Sequence, residues 1–295
     1  MQLHAPETFN EAELLGAFEN GSQEWHKARE GGIGGSEVGT ILGLNPYESA
    51  YALWCKRTGR IPSQIQINWA IRFGNAFEQP ILDLWQEEHP EWEVFLTGTY
   101  RSKENPLLHA NPDALARHRE TGEWMIVEVK TARSTWDSAP QAYVAQVLHY
   151  MGVMGVKRGI IVAVAGMTWY EHEVEYNQEQ IDIQNEMLLK FWNSVQEDSQ
   201  PDWDGSDATY QAVRYQHPLI EDEEVEVGDI GWQVVNHQLF ADSVYKELQK
   251  LKSELMFAMG NAKHAYVQDK GQKVRVASRQ IRSGTPVMVI NKKGK

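Results

Sequence analysis

The chain has 295 residues, a net charge of −13 and a pI near 5.3. Its 42% hydrophobic content supports a sizeable core, and no window approaches the roughly 18 uninterrupted apolar residues of a membrane-spanning helix. The acidic balance weakens a nucleic-acid reading without excluding it, because net charge is a whole-molecule sum and a metal site itself needs carboxylates. The single cysteine, Cys55, cannot form an internal disulfide and sits in an aromatic stretch that reads as core. With no signal-peptide pattern at Met1–Pro6, a cytoplasmic location is expected.

Residues 8–20 read as a short helix with Leu14, Leu15 and Phe18 as its apolar stripe. A glycine-rich loop follows, Gly31-Gly32-Ile33-Gly34-Gly35, and Ser36 opens a helix through Leu42. Further helices are predicted over 50–58 and 68–88, the second carrying Trp69, Phe73, Phe77, Leu84 and Trp85. Strand signals come next, over 92–97, 99–102, 107–111 and 124–130, with the polar turn 117–123 suggesting that 107–115 and 124–130 pair as a hairpin. Helix 138–155, the β-branched run 159–165 as a buried central strand, strand 168–176 and amphipathic helix 178–196 complete this part. Residues 198–230 are acidic and loop-like. The end, 231–295, is rich in lysine and arginine and reads as one long helix followed by two short strands. The expected organisation is a catalytic domain over 1–197, an acidic linker over 198–230 and a basic helix-hairpin extension over 231–295.

The chemistry concentrates at Asn111-Pro112-Asp113 and Glu128-Val129-Lys130. Alternation along a strand puts Glu128 and Lys130 on one face and Val129 on the other. If the two segments pair, Asp113 comes near Glu128, and two neighbouring carboxylates repel unless a cation lies between them. Mg²⁺ prefers oxygen ligands and needs only one or two carboxylates, and Mn²⁺ is expected to substitute. A lysine beside it can orient or deprotonate a water, or stabilise charge on a phosphate. Taken alone, this pair of motifs also fits a surface hairpin with an exposed ion pair. Downstream, Gln146 and Tyr150 lie four apart on one face of a predicted helix; upstream, Gly74-Asn75-Ala76-Phe77-Glu78 puts a third carboxylate on a helix.

Pro-Asp followed 15 residues later by the Glu of Glu-x-Lys is the pattern of PD-(D/E)XK nucleases. Trp25-His26-Lys27-Ala28-Arg29 and Gly34-Gly35-Ser36-Glu37-Val38 resemble the opening of the YqaJ-like viral recombinase and phage lambda exonuclease family. The Gly-x-x-x-Glu helix, Pro-Asp, Glu-x-Lys and the glutamine-bearing helix follow in the family's order, over residues 25–196. The sequence departs from the family at Ala114, where glycine usually follows Pro-Asp, and at Asn111, where many relatives have serine.

The resemblance implies an α/β, restriction-endonuclease-like fold: a central mixed sheet flanked by helices, here with a C-terminal extension. It implies a Mg²⁺-dependent exonuclease that digests one strand of duplex DNA 5′→3′ from a 5′-phosphorylated end, for phage-type recombination by strand annealing. Asp113, Glu128 and the Val129 carbonyl would be metal ligands, and Glu78 would assist them, through water in one version. Lys130 would act on the attacking water, and Gln146 would hold the lysine or that water. Arg29 and Ser36 would form the pocket for the terminal 5′-phosphate, since arginine meets phosphate bidentately and Ser36 adds a hydroxyl near a helix start. Tyr150 is a further substrate-contact candidate. Relatives form ring-shaped trimers, and the resemblance implies a single-strand annealing protein as partner, in a phage-bearing bacterial host. Two other readings stay open: a structure-specific or nicking endonuclease of the same superfamily, and a catalytically idle DNA-binding or assembly protein.

The glycine loop lacks the Gly-Lys-Ser/Thr ending of a nucleotide-binding loop, and the ten histidines show no zinc spacing. His149 reads as packing or as a phosphate contact. The eleven tryptophans read mostly as core, with Trp25 or Trp54 as candidates to stack on a base.

Overall fold

A computed structural model describes residues 4–18, 22–62 and 68–291, without the side chains of Trp25, His26 and Arg29. It divides into two compact units, Met1–Ile220 and Glu221–Lys295. The first unit contains, in chain order, β1 (Thr8–Phe9), β2 (Ala12–Gly16), α1 (Gln23–Glu30), β3 (Ile33–Gly34), α2 (Gly35–Ile41), α3 (Ala50–Arg57), α4 (Trp69–Glu88) and β4 (Trp92–Leu96). It continues with β5 (Thr99–Ser102), β6 (Leu108–Ala110), β7 (Ala114–His118), β8 (Trp124–Ala132), α5 (Gln141–Met154), β9 (Arg158–Ala165), β10 (Thr168–Glu175), α6 (Gln178–Gln196) and α7 (Asp207–Gln216).

The main sheet has the order β10-β9-β8-β7-β4, with only β8 and β9 parallel. Its centre, β8, is apolar on both faces because helices cover both. Ile126 joins the core shared with Leu148 and Met151 of α5. Met125, Val127 and Val129 point the other way, into a cluster with Ile81, Leu82 and Trp85 of α4. Period-2 alternation therefore sends Glu128 to the α5 side and fixes its surroundings. The α5 helix stops at Gly155, whose φ of +67° forms the left-handed cap that glycine adopts without strain.

Several sequence expectations need correction. Residues 8–20 are not a helix: β1 and β2 pair with each other, and β2 joins β5 in a second sheet of order β1-β2-β5-β6-β3. The register sets Glu13 opposite Arg101, where they form an ion pair, and Ala12 is fully buried. A helix this short is marginal without packing, so the strand pairing decides. The predicted hairpin is also split. Residues 108–110 belong to the second sheet, beside β5 and β3, while residues 114–118 pair with β8. The chain changes sheets across Asn111-Pro112-Asp113, where proline has no ladder hydrogen to donate.

Inside the acidic stretch, Ser206 caps α7, its hydroxyl accepting from Thr209 N at 3.1 Å. Buried Thr209 bonds Ser49 at 2.7 Å, tying the helix to the start of α3. Trp69 and Trp203 are exposed, not core, whereas Trp54 is buried and donates to the Ser194 carbonyl, which removes it as a base-stacking candidate. Cys55 is buried, as expected. No described helix is long and apolar enough to cross a membrane.

The second unit consists of α8 (Asp229–Met259) and a meander of three strands, β11 (His264–Asp269), β12 (Gln272–Arg282) and β13 (Thr285–Ile290), one more than expected.

Gly35, the first residue of α2, lies against the ring of Tyr150; a Cβ there would overlap Cε1 and Cζ of that ring. Tyr150 is buried and cannot swing into solvent. Gly35→Ala should therefore cost about 1–3 kcal/mol in denaturant unfolding, the usual penalty of an overpacked core. An unchanged midpoint would show that the ring has room to retreat.

Candidate functional site

Glu128 sits in the middle of β8, the central strand of the main sheet, and is 1% exposed. A bare carboxylate there would cost several kcal/mol, so its partners decide whether it is tolerated. Its Oε1 accepts from Lys130 Nζ at 2.5 Å and from Gln146 Nε2 at 2.6 Å. Its Oε2 is buried and has no hydrogen-bond partner. The Lys130 side chain is 20% exposed, against 2% for that of Glu128. The Tyr143 ring lies 5.1 Å from Lys130 Nζ and adds a cation–π contact.

Asp113 enters from the sheet-switching segment, and its Oδ2 accepts from the Val129 amide at 2.7 Å. That bond locks Asp113 beside β8 between the two members of the Glu-x-Lys pair. Two hydroxyls brace the segment: Thr97 donates to the Pro112 carbonyl, and Thr99 donates to Asn111 Oδ1 at 3.2 Å. The asparagine that departs from the family's serine thus supplies an acceptor.

Glu78 approaches from α4. One turn earlier, a Cβ at Gly74 would lie 3.5 Å from Thr131 Oγ1, so the helix passes closely over the end of β8. Burial raises the Glu78 carboxyl to about 7, the charge of Asp113 adds to this, and Lys130 opposes it. Burial likewise lifts Glu128 to about 8, helped by Asp113, and Asp113 is itself raised by burial. Burial disfavours the Lys130 ammonium, but Glu128 and Asp113 override it and hold its pKa above the ordinary lysine value. Three carboxylates and one ammonium thus feel one another, with negative charge in excess.

A hard divalent cation fits this donor set. The orphaned Oε2 of Glu128 lacks a hydrogen-bond partner, and the repulsion from Asp113 that adds to burial at Glu128 and Glu78 would be offset by a cation among them. Among the described residues, no group of three or more acidic, histidine or cysteine side chains is close enough to hold an ion without rearrangement. Asp113 and Glu128 are the direct candidates, while Glu78 is linked to them through charge.

The α5 face completes the site. The Gln146 amide donates to Glu128 and, at 2.9 Å, to the Tyr150 hydroxyl, so it holds the carboxylate where the expectation had lysine or water. Tyr150 is buried and touches the site through Gln146. His149 is buried too; its Nε2 donates to the His109 carbonyl at 3.0 Å, and burial drives its pKa down to about 4. It is a packing histidine.

Ser36 is exposed at the start of α2, while the Arg29 side chain lies outside the described residues. Sequence reading missed Arg57. Its guanidinium grips Glu37 at 2.6 and 2.7 Å and the Gly32 carbonyl at 2.9 Å, and Glu37 accepts from Gly34 N at 3.1 Å. The glycine loop is held by this bidentate pair. Nothing in the spacing of Glu37 and Arg57 signals it, because they meet only when α3 folds back on α2. Tyr143 was also missed, although it lies three residues before Gln146 on the same helical face.

Residues 24–157 match the model of the YqaJ-like viral recombinase domain. This part of the chain is similar to a YqaJ-like domain. Every candidate site residue, from Arg29 to Tyr150, falls inside the matched stretch. The uncharacterized protein YqaJ of Bacillus subtilis (strain 168) is 27% identical over 283 residues, covering 88% of this chain and 85% of the relative. Among solved structures, LHK-Exo in complex with dAMP is similar with a TM-score of 0.50 at 19% identity, covering 60% of this chain and 94% of that one. A second structure, of the alkaline exonuclease LHK-Exo from Laribacter hongkongensis, gives a TM-score of 0.48 at 18% identity. The likeness to the first of these shows the fold that the YqaJ-like domain adopts, a mixed sheet flanked by helices.

The raised carboxylates make a prediction about stability. The Glu128 pKa stands near 8 in the fold against an ordinary 4.5. Its contribution is therefore fully present below about pH 4.5 and is lost as pH rises toward about 8, at ~1.4 kcal/mol per pH unit. In chelator, Glu128→Gln should flatten the fall in unfolding free energy over that window by a few kcal/mol. Parallel stability-pH curves for wild type and variant would mean that Glu128 titrates normally.

Proposed function

We propose that this protein is a Mg²⁺-dependent DNA exonuclease that digests one strand of duplex DNA 5′→3′ from 5′-phosphorylated ends, supplying 3′ single-stranded tails for strand annealing. The observation that carries this reading is the meeting of Asp113, from the sheet-switching segment, with Glu128 and Lys130 of β8, with a buried carboxylate oxygen left without a donor. The YqaJ-like viral recombinase match and the fold shared with LHK-Exo support it.

Asp113, Glu128 and the Val129 carbonyl would hold the cation, with Glu78 assisting. Bound there, Mg²⁺ would offset charge developing on the phosphate and make the attacking water more acidic. Lys130 stays an ammonium beside Glu128, so its part is donation: a hydrogen bond to the water or to a non-bridging phosphate oxygen. Gln146 fixes the Glu128 carboxylate, and Tyr150 fixes Gln146. Arg29 and the Ser36 hydroxyl would take the terminal 5′-phosphate. A ring-shaped homotrimer and a single-strand annealing partner belong to the same reading. A ring would turn basic residues inward and acid outward, which reconciles a net charge of −13 with a DNA substrate.

Digestion of a 5′-phosphorylated linear duplex in Mg²⁺ tests the reading. Lys130→Ala should lower the rate by about 10²–10³-fold while DNA binding persists. Arg29→Ala should remove the preference for 5′-phosphate over 5′-hydroxyl ends. Cleavage of closed circles as fast as linear DNA would point to an endonuclease, and no Mg²⁺-dependent cleavage at all would point to a binding protein.

The metal requirement should depend on pH. Protons on Glu78 and Glu128, held up to about 7 and about 8, compete with the cation. The half-saturating Mg²⁺ concentration should therefore fall as pH rises through that range. A requirement that is flat with pH would contradict the shared-proton picture.

A further inference from the structure

The α8 helix runs for 31 residues, from Asp229 to Met259, and nearly all of it before Leu255 is exposed. Exposed Trp232, Val235, Leu239, Phe240, Tyr245 and Phe257 lie on its other sides, but six apolar residues form one regular row. Ile230, Val234, Ala241, Val244, Leu248 and Leu251 recur at alternating steps of four and three when His237 is counted in its place between Val234 and Ala241. That is a heptad row, the pattern that winds two helices around each other. Five of these side chains are 44% to 62% exposed: Ile230, Val234, Val244, Leu248 and Leu251. A stripe this long is an apolar surface that water disfavours. The last turn behaves differently: Leu255 and Met256 are half-buried and Met259 is buried.

The charges beside the row choose the partner. With Val234, Ala241 and Leu248 as one set of seam positions and His237, Val244 and Leu251 as the other, Glu247 and Lys252 are the flanking residues. In a parallel, in-register pair the flanking position of one helix meets the residue five further along the other. Glu247 then meets Lys252 of the second copy, in both directions. One heptad earlier, the same relation joins Phe240 and Tyr245. In an antiparallel pair like positions would face each other, setting Glu247 and Glu254 against acid and Lys252 against lysine. His237, whose Nδ1 lies 2.7 Å from the Gln233 carbonyl, would supply one polar layer; such a layer favours a single register at some cost in stability.

We infer that α8 is a self-association helix, which binds α8 of a second copy of this chain in a parallel, in-register coiled coil. The seam lies outside residues 24–157, and because a two-stranded pair cannot join three subunits evenly, it would link copies in different rings and not close the proposed trimer.

Cysteine cross-linking of the full-length chain tests this. Leu251 lies on the seam and Ser253 lies on the opposite side of the helix. Leu251→Cys should give a covalent dimer under mild oxidation, while Ser253→Cys should give little; the wild type, with Cys55 buried, should give none. Adding Leu248→Asp to Leu251→Cys should lower the yield about tenfold, equivalent to ~1.4 kcal/mol. Adding Glu247→Lys should also lower it, and Glu247→Lys with Lys252→Glu should restore it. No cross-link at Leu251, equal cross-linking at both positions, or failure of the paired reversal to restore the yield would each overturn the proposal. Full-length wild type that sediments as a monomer would do so as well.

Discussion

A carboxylate in the interior of a sheet must be stabilised by its neighbours, and the site follows from that requirement at Glu128. Strand β8 is buried on both faces, so water cannot solvate this group. One oxygen is matched by Lys130 and Gln146 and the other is left over. Removing Lys130 would leave an uncompensated charge, and adding Asp113 beside it creates repulsion that only a proton or a cation relieves. The same arrangement that is costly to the fold would therefore favour a bound cation. Binding strength and local instability are two aspects of one electrostatic conflict.

A continuous set of contacts connects this carboxylate to the glycine loop. Glu128 is held by Gln146, Gln146 by Tyr150, and the Tyr150 ring rests on Gly35. Ser36 follows directly. On the other side of the loop, the Glu37–Arg57 pair pins Gly32 and Gly34. Two of its glycines are required by close approach, Gly35 to the Tyr150 ring and Gly32 to the Leu107 carbonyl and the His109 ring. The proposed phosphate pocket and the proposed metal site are thereby built on one rigid frame, which suits chemistry that requires the end of a strand and its scissile bond to be positioned together.

The two units carry different kinds of information. The first is a packed α/β body whose polar groups converge. In the second, the helix leaves most of its apolar row exposed, and charged residues flank it. Packing within one chain explains the first, whereas the exposed row of the second is what the proposed pairing would cover.

Much of the site was legible in the sequence. Strand alternation alone put Glu128 and Lys130 on one face, and helical spacing put Gln146 and Tyr150 on another, because those relations are local and set by backbone geometry. The order of motifs from Trp25 to Gln146 indicated the family, and residues 24–157 match it. What only the tertiary structure decided was everything that depends on non-local pairing. Residues 8–20 have a short helical pattern but are strands, because a sheet edge offers Ala12 and Glu13 more than an isolated turn of helix could. Asp113 reaches Glu128 through a change of sheet and a bond to the Val129 amide, where the sequence suggested a simple hairpin. Arg57 joins the loop, and Trp54 is removed from the surface, only once α3 has docked. Local periodicity fixes which way a side chain points, but the side chain it meets is set by contacts whose closure entropy and packing energy no short window of sequence contains.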